Sequence, residues 1–394
     1  MRMPLLALSV GAFGIGTTEF VVMGALSDIA ESTGTPLSRA GLLVTAYALG
    51  VVIGAPLLTV ATTRISRKRL LITLMACFAA ANLATAAAPG FGLLLGARFA
   101  AGLPHGAFFG AAAVVGASLV PHHRRARAIA GIMSGLTVAT IVGVPIGTVI
   151  AGQLSWRWVF VGIAAIGAAA AAAIAATVPD TKGVIAPTRP IDEVRALNSR
   201  RVILTLVTGA IGVGGMFACY TYLEPLLTEV TGMSAVAVAI TLAVFGIGMT
   251  CGNVIGGQVA DRFGARGLPA AFTAVAAVLT MMSFSVSNPV LAVGGVFMMA
   301  AAASVIGPIL QRLLLDGADR APSLASALHH SAFNIANANG AWLGGLAVGA
   351  GLGLTAPILV GAGLSLVGLG LAFALSRVHA GAPARSVGEW VRAS

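Results

Sequence analysis

Charge is what this chain lacks most. Of its 394 residues only 9% are Asp, Glu, Lys or Arg, and only 6% are aromatic. Soluble domains carry about a quarter charged residues, so a soluble fold of this composition could not cover itself with polar surface. That excludes an ordinary cytosolic enzyme, a disordered protein and a nucleic-acid binder. Cysteine is scarce as well: Cys77, Cys219 and Cys251 each stand inside an apolar run. An odd count without Cys/His spacing argues against a disulfide framework and against a zinc site. No small-residue cleavage site follows the first apolar run, so that run reads as a membrane span and not as a removed signal. Hydrophobic residues make up 58% of the chain and glycines number 51, which points to a bilayer as the solvent.

A spanning helix needs about 20 mostly apolar residues. Twelve runs qualify: 5–29, 40–62, 70–88, 91–119, 127–153, 158–178, 202–226, 235–259, 268–287, 290–311, 323–350 and 355–376. They are too long for barrel strands and do not alternate polar with apolar residues. A single long polar connection, residues 179–201, separates six runs from six. The expectation is an all-α integral membrane protein of twelve helices. Its parts are an N-terminal half (1–178), a central loop (179–201), a C-terminal half (202–376) and a tail (377–394).

The basic residues set the orientation. Of the 23 Lys and Arg, one face receives all except Arg39, Arg157 and the intramembrane Arg98. Both termini and the central loop are therefore expected in the cytoplasm, and the net charge of +11 needs no nucleic acid to explain it. The two halves also repeat. Glu31-Ser32-Thr33-Gly34 precedes Glu229-Val230-Thr231-Gly232 by 198 residues, and Arg64-Ile65-Ser66 precedes Arg262-Phe263-Gly264 by the same interval. The fifth run carries Gly131, Gly135, Ala139, Gly143 and Gly147 at every fourth position. The eleventh carries Ala332, Ala336, Gly340 and Gly344, which follow the last four of that set by 197 residues. Such parallel halves are typical of one class of secondary transporter.

The loop after the eighth run reads Gly257-Gln258-Val259-Ala260-Asp261-Arg262-Phe263-Gly264-Ala265-Arg266. It resembles the Gly-x-x-x-Asp-Arg-x-Gly-x-Arg signature of the major facilitator superfamily. The first-half copy has Thr63 in place of the Asp and Ser66 in place of the Gly, but keeps Arg64, Arg67, Lys68 and Arg69. That departure resembles the arabinose-efflux and chloramphenicol-resistance branch. The resemblance implies a cytoplasmic gate at Arg64, Asp261, Arg262 and Arg266. Physically, Asp261 can pair with Arg262 or Arg266, or cap the next helix, and the bland reading is a tight turn. The fifth run carries Gly143-Val144-Pro145-Ile146-Gly147 after Gly135, which resembles the antiporter signature of efflux members. Helix packing is the alternative for that stripe.

Two charges stand in mid-span. Arg98, in Gly96-Ala97-Arg98-Phe99-Ala100-Ala101-Gly102, resembles the superfamily's Arg followed four residues on by Gly. A guanidinium in hydrocarbon costs about 3 kcal/mol on insertion scales, so it needs a partner, a wet cavity, or a snorkelling path to the headgroups. Glu19, in Gly16-Thr17-Thr18-Glu19-Phe20, resembles the acid in the first helix of twelve-helix drug:proton antiporters. Opposite signs in one half-bundle make each the natural partner of the other. An acid in an apolar site suits a proton carrier, and a permanently neutral Glu is the alternative. His105 lies two turns beyond Arg98 on the same face and joins them as a coupling candidate.

His330, Asn334 and Asn337 share one face of the eleventh run and can hydrogen-bond either a substrate or a neighbouring helix. Phe217, Tyr220 and Thr221 of the seventh run line a pathway or belong to an outer aromatic belt. Tyr47 of the second run completes the cavity candidates. His122-His123 has no carboxylate near it, and no metal or cofactor is expected.

Taken over the whole chain, the resemblance implies a major facilitator fold. It also implies proton-coupled efflux of small organic compounds, chloramphenicol-like molecules among them, by alternating access in the cell inner membrane. The expected partners are that substrate, protons and the lipid bilayer, with the protein a monomer. Proton-coupled uptake or efflux of a sugar or metabolite is the nearest alternative. A lipid-modifying membrane enzyme is more distant, because no Asp-rich metal motif is present. A channel lacks a visible pore loop. Cysteines introduced at Lys182 and Gly90 should label from opposite sides of the membrane; labelling of both from outside intact cells contradicts the twelve-span topology.

Overall fold

The computed structural model describes residues 2–62, 65–121, 124–180, 199–317 and 322–380. Most of the central loop and the tail beyond residue 380 lie outside these residues, as do Arg64 and the His122-His123 pair. Among the described residues every regular element is helical. The first half holds α1 (Arg2–Phe20), α2 (Leu42–Ala61), α3 (Arg67–Ala87) and α4 (Phe91–Ser118). It continues with α5 (Arg125–Val138, a π-helical turn Ala139–Gly143, then Val144–Gln153) and α6 (Trp156–Thr177). The second half holds α7 (Arg200–Gly212, continued by Gly214–Thr221), α8 (Ala235–Phe263) and α9 (Gly267–Ser285). It ends with α10 (Pro289–Ser304, continued by Ile306–Gly317), α11 (Pro322–Gly349) and α12 (Ala356–Ala380). Among the described residues ten stretches have the length and hydropathy of a span, and one of them, Ala235–Ser285, contains both α8 and α9. The polar α11 is not among the ten; at 28 residues it is nevertheless about 42 Å long, enough to cross the hydrocarbon. The protein is thus an all-α bundle of two six-helix halves. Large apolar side chains such as Leu93, Trp158, Met281 and Phe284 are exposed, as a lipid solvent permits.

The sequence repeat is reproduced in the packing. A Cβ on Gly50 of α2 would stand 2.1 Å from the Phe99 carbonyl oxygen of α4, and one on Gly54 2.2 Å from that of Leu103. At positions 198 residues later, Gly248 and Gly252 of α8 meet the Phe297 and Ala301 carbonyls of α10 at 2.6 and 2.1 Å. Backbones approach this closely only where the side chain is a hydrogen, and dispersion replaces the hydrophobic drive that lipid does not supply. The small-residue stripes serve the same end. Gly135 and Gly143 of α5 abut Ser9 and Thr17 of α1, while Gly340 and Gly344 of α11 abut Gly214 of α7 and Tyr222 just after it.

Neither α1 nor α7 runs through its apolar segment as one rod. After Phe20 the chain tightens into a 3₁₀ turn, Val21–Gly24, and restarts as the short helix Leu26–Ser32. After Thr221 it breaks at Tyr222, makes the single turn Leu223–Pro225 and continues as a π-helical turn, Leu226–Val230. The two breaks occupy equivalent places in the halves. Such breaks leave carbonyls of the preceding turn without intrahelical donors, which become available to other helices. In α5 the π turn precedes Pro145, whose missing amide cannot close an α-helical bond to the turn before it.

The hydrogen bonds that join the halves lie toward the face opposite the basic loops. The Ser27 amide and hydroxyl both donate to Glu224 Oε2, at 3.1 and 2.7 Å, and the Thr45 hydroxyl donates to the Ala338 carbonyl at 3.3 Å. Tyr222 donates to the Ala341 carbonyl within its own half, and its hydroxyl lies against Gly41 of the other. Gly252→Val should lower the midpoint of thermal unfolding in detergent, through an overpacking cost of about 1–3 kcal/mol. Gly257→Ala, which points into open space, should leave it unchanged. Equal effects of the two substitutions contradict the close α8–α10 contact.

Candidate functional site

Arg98 is fully buried on α4, so the snorkelling alternative does not hold. Its compensation comes from the end of α1. Nη1 donates to the Thr18 hydroxyl and Nη2 to the Thr18 carbonyl, both at 3.0 Å. That carbonyl belongs to the last turn before the 3₁₀ break, where the helix dipole is negative and a cation is favoured. The Thr18 hydroxyl in turn donates to Asn82 Oδ1 at 2.6 Å, and Asn82 donates to the Phe78 carbonyl at 2.8 Å. Two aromatic faces complete the cage, Tyr47 at 4.5 Å and Phe160 at 5.5 Å from the guanidinium carbon. Among the described residues Arg98 Nε has no hydrogen-bond partner.

Glu19 follows Thr18 directly, is 7% exposed, and sits within electrostatic reach of Arg98, Tyr47 and Tyr220. It is not ion-paired with Arg98. The expectation that each charge is the other's contact partner is corrected: Thr18, one residue earlier, takes both guanidinium nitrogens that donate. The carboxyl of Glu19 makes no hydrogen bond or salt bridge among the described residues. An acid held in the field of a cation but not locked to it can change protonation without dismantling the cation's site.

The other candidates fall into two groups. His105 and Tyr47 join the charged cluster: the Tyr47 hydroxyl and His105 Nδ1 are 3.0 Å apart, and both residues are buried. His105 stands edge-on to Phe109 at 5.1 Å, and Phe109 stacks on His330 of α11 at 6.1 Å, so an aromatic chain crosses between the halves. Tyr220 packs face to face with Phe245 at 3.9 Å and edge-on to Phe20 at 6.0 Å, which brings it to Glu19 from the second half. Phe217, Tyr220 and Thr221 are all buried, so they form no aromatic belt at the membrane surface. Thr221 spends its hydroxyl on the Phe217 carbonyl. Asn334 and Asn337 are buried on α11; among the described residues both polar atoms of Asn337, Asn334 Oδ1 and the Tyr220 hydroxyl have no hydrogen-bond partner. Buried amides without partners are rare, and a polar ligand is one way to satisfy them.

The loop residues behave differently. Asp261 is paired neither with Arg262 nor with Arg266. It meets Arg312 of α10, which also donates to the Ala260 carbonyl at 3.2 Å and approaches Asp316 at 3.7 Å. Arg312 lies on the helix already packed against α8, whereas the Arg262 guanidinium rests over the Phe263 ring at 5.4 Å. The pair therefore ties two helices of one half, and its side chains are largely exposed. In α5, Gly135, Gly143 and Gly147 pack on α1 and the turn after it. Pro145 lines an apolar cleft of about 340 Å³ between α5 and α8, which none of the charged or hydrogen-bonding candidates reaches.

Sequence reading missed Thr18, Asn82, Phe160 and Arg312. Thr18 was visible beside Glu19, but a neutral hydroxyl gives no charge signal. Arg312 stands 51 residues from Asp261, and only the helix packing brings them together.

Comparison with known proteins agrees with this architecture. The family model described as Major Facilitator Superfamily matches residues 8–338. The inner membrane transport protein YdhP of Escherichia coli (strain K12) is 37% identical over 374 residues, covering 95% of this chain and 96% of that protein. A chloramphenicol resistance protein of Streptomyces lividans is 31% identical over 376 residues, covering 95% and 96%. The crystal structure of a bacterial homologue of the human lysosomal transporter Spinster superposes with a TM-score of 0.75 at 17% identity, covering 95% of this chain and 96% of that one.

Proposed function

The chain belongs to the Major Facilitator Superfamily, and from that premise we propose that it exports small uncharged organic compounds in exchange for protons. The transporter class follows from the family; the coupling ion, the direction and the substrate are our reading. One observation carries it: Glu19 is a buried carboxyl at mid-depth, beside a cation, with no hydrogen bond or ion pair of its own among the described residues. A group so placed can take a proton from one side of the membrane and surrender it to the other. The resistance protein of Streptomyces lividans supports the choice of chloramphenicol as the first compound to try.

The site is at home in the bacterial inner membrane, with the basic loops and both termini cytoplasmic. The halves meet through Ser27–Glu224 and Thr45–Ala338 toward the opposite face, which supports reading this as a state closed on that side. Rocking of one half against the other breaks those contacts and forms others at the basic face. Glu19 of the first half and Tyr220 of the second close on the same space. Asn334 and Asn337 offer donors and acceptors from α11. Arg98 stays on Thr18 throughout, because losing both bonds would strand a charge in hydrocarbon. The cation then acts as a fixed field that favours the Glu19 carboxylate when the proton is to be released. Substrate entry and Glu19 ionisation are linked through a shared site, which is what antiport requires.

The test is accumulation of labelled chloramphenicol in everted vesicles, with the proton gradient imposed and then collapsed. The wild type should concentrate the label only with the gradient, and Glu19→Gln should not concentrate it at all while inserting normally. Uphill accumulation by Glu19→Gln under a proton motive force refutes Glu19 as the coupling group.

A further inference from the structure

On the face opposite the basic loops, one carboxyl joins the halves. The first and seventh spans end at Gly24 and Thr221, so Ser27 and Glu224 both lie beyond them. Each is fixed within its own half. The helix Leu26–Ser32 is tied to α6 by Trp156 Nε1, which donates to the Ser32 hydroxyl at 2.7 Å. Glu224 stands two residues after Tyr222, whose hydroxyl donates to the Ala341 carbonyl of α11 at 3.0 Å. The pair has no counterpart in the repeat. At the interval of 198 residues Ser27 corresponds to Pro225, which has neither amide proton nor hydroxyl to offer, and Glu224 corresponds to Leu26. Duplication of the half therefore does not account for this contact.

The bonding pattern suits a neutral carboxylic acid. Both Ser27 donors converge on Oε2, the amide at 3.1 Å and the hydroxyl at 2.7 Å, while Oε1 meets the Thr228 hydroxyl at 3.4 Å. A protonated carboxyl has one oxygen that only accepts and one that can donate, and a hydroxyl can accept as well as donate. Oε2 then serves Ser27, and the proton on Oε1 points to Thr228. The surroundings agree. On the elements packed most closely against Glu224 the charged residues are Asp28 and Glu31 of Leu26–Ser32 and Glu229 of its own π turn. All three are acids. The turn Val21–Gly24 brings no charge, and Cys219, Tyr220 and Tyr222 at the end of α7 are titratable groups that stay neutral at physiological pH. Closure takes the carboxyl partly out of water and sets it among like charges, which costs the carboxylate and spares the acid. Burial, partly offset by the two Ser27 bonds and reinforced by Asp28, raises the Glu224 carboxyl above its ordinary value.

We propose that Glu224 is a proton-binding site open to the outer water, and that its protonated form latches the two halves together on that side. This rests on reading the present state as closed there, and on neither Glu19 nor the substrate. Glu224 is partly exposed, so its proton comes from the outer medium without crossing the bundle. When the halves part, the Ser27 donors are lost and the carboxyl returns to water and to its ordinary value. The closed state thus binds the proton more tightly than the open one. By linkage, acid outside favours closure, and that stabilisation is lost as the pH rises through the closed-state value. In a proton-driven exporter, arrival of the outer proton is then the signal that shuts the outer side.

The test needs no substrate. Spin labels at Arg39→Cys and Val236→Cys, exposed positions on the two halves at that face, report their separation in full-length protein whose exposed Cys77 and Cys251 are changed to Ser. From pH about 8 down to about 4.5 the wild-type ratio of short to long distances should rise about tenfold for each unit by which closure displaces the carboxyl. Glu224→Gln keeps an oxygen for both Ser27 donors and carries no charge; its ratio should stay high and change by less than about twofold. Glu19→Gln should respond as the wild type does. Ser27→Ala should enlarge the pH response, because a hydrogen bond to a carboxylate is about twice as strong as one to a neutral acid. A short distance at every pH in the wild type overturns the latch, as does a ratio that falls toward acid. A response that survives Glu224→Gln, or that Glu19→Gln removes, overturns it too. If Glu224→Gln does not fold, an unchanged or smaller response in Ser27→Ala overturns it. A long distance at every pH in the wild type refutes the closed-state reading, and the latch with it.

Discussion

A guanidinium sealed inside a membrane bundle must be given acceptors, and Arg98 receives them from the broken end of α1. Much of the first half is arranged around that requirement. The 3₁₀ turn at Val21–Gly24 ends the α-helical hydrogen-bond ladder, which frees the Thr18 carbonyl. Asn82 of α3 accepts the hydrogen bond donated by the Thr18 hydroxyl, so the hydroxyl's lone pairs face Arg98. Tyr47 of α2 and Phe160 of α6 close over the cation. Side chains from α1, α2, α3, α4 and α6 thus converge on one group, which fixes the relative placement of five helices without any carboxylate.

That arrangement is what leaves Glu19 available. Had the acid been spent as the counter-ion of Arg98, protonating it would have left a bare cation in hydrocarbon, at a cost of several kcal/mol. With Thr18 holding the guanidinium, Glu19 can gain or lose a proton while Arg98 remains bonded. The second half contributes no mid-span charge of its own. It presents Tyr220, Asn334 and Asn337, polar side chains that carry no charge, together with His330. The two halves are alike in backbone and unlike in chemistry.

The fold was largely legible in the sequence, because the features that specify it are periodic or cumulative. Apolar run length, the one-sided distribution of Lys and Arg and the 198-residue repeat all report backbone architecture, and glycines at that interval do recur at equivalent helix crossings. The site was legible only in part. Glu19 and Arg98 stand out as charges in an apolar chain, but attraction between opposite signs pointed to a direct pair. The better acceptor came from a helix break that no proline or charged residue announces. The Asp261–Arg312 tie was hidden for a different reason: Arg262 and Arg266 are nearer in sequence, and the arginine used lies on another helix. Tyr47 and His105 meet because Gly102 lets two backbones touch, and such proximity is invisible to spacing along either helix.

Which residue holds Arg98 decides whether Glu19 is free, and double-mutant cycles read from thermal unfolding in one detergent measure that directly. Thr18→Val and Glu19→Gln are each combined with Arg98→Gln. The coupling between Thr18 and Arg98 should be about 1–3 kcal/mol, and that between Glu19 and Arg98 clearly smaller. A larger coupling to Glu19 than to Thr18 would mean that the acid is the counter-ion after all, and would contradict both the freedom claimed for Glu19 and the proton chemistry built on it.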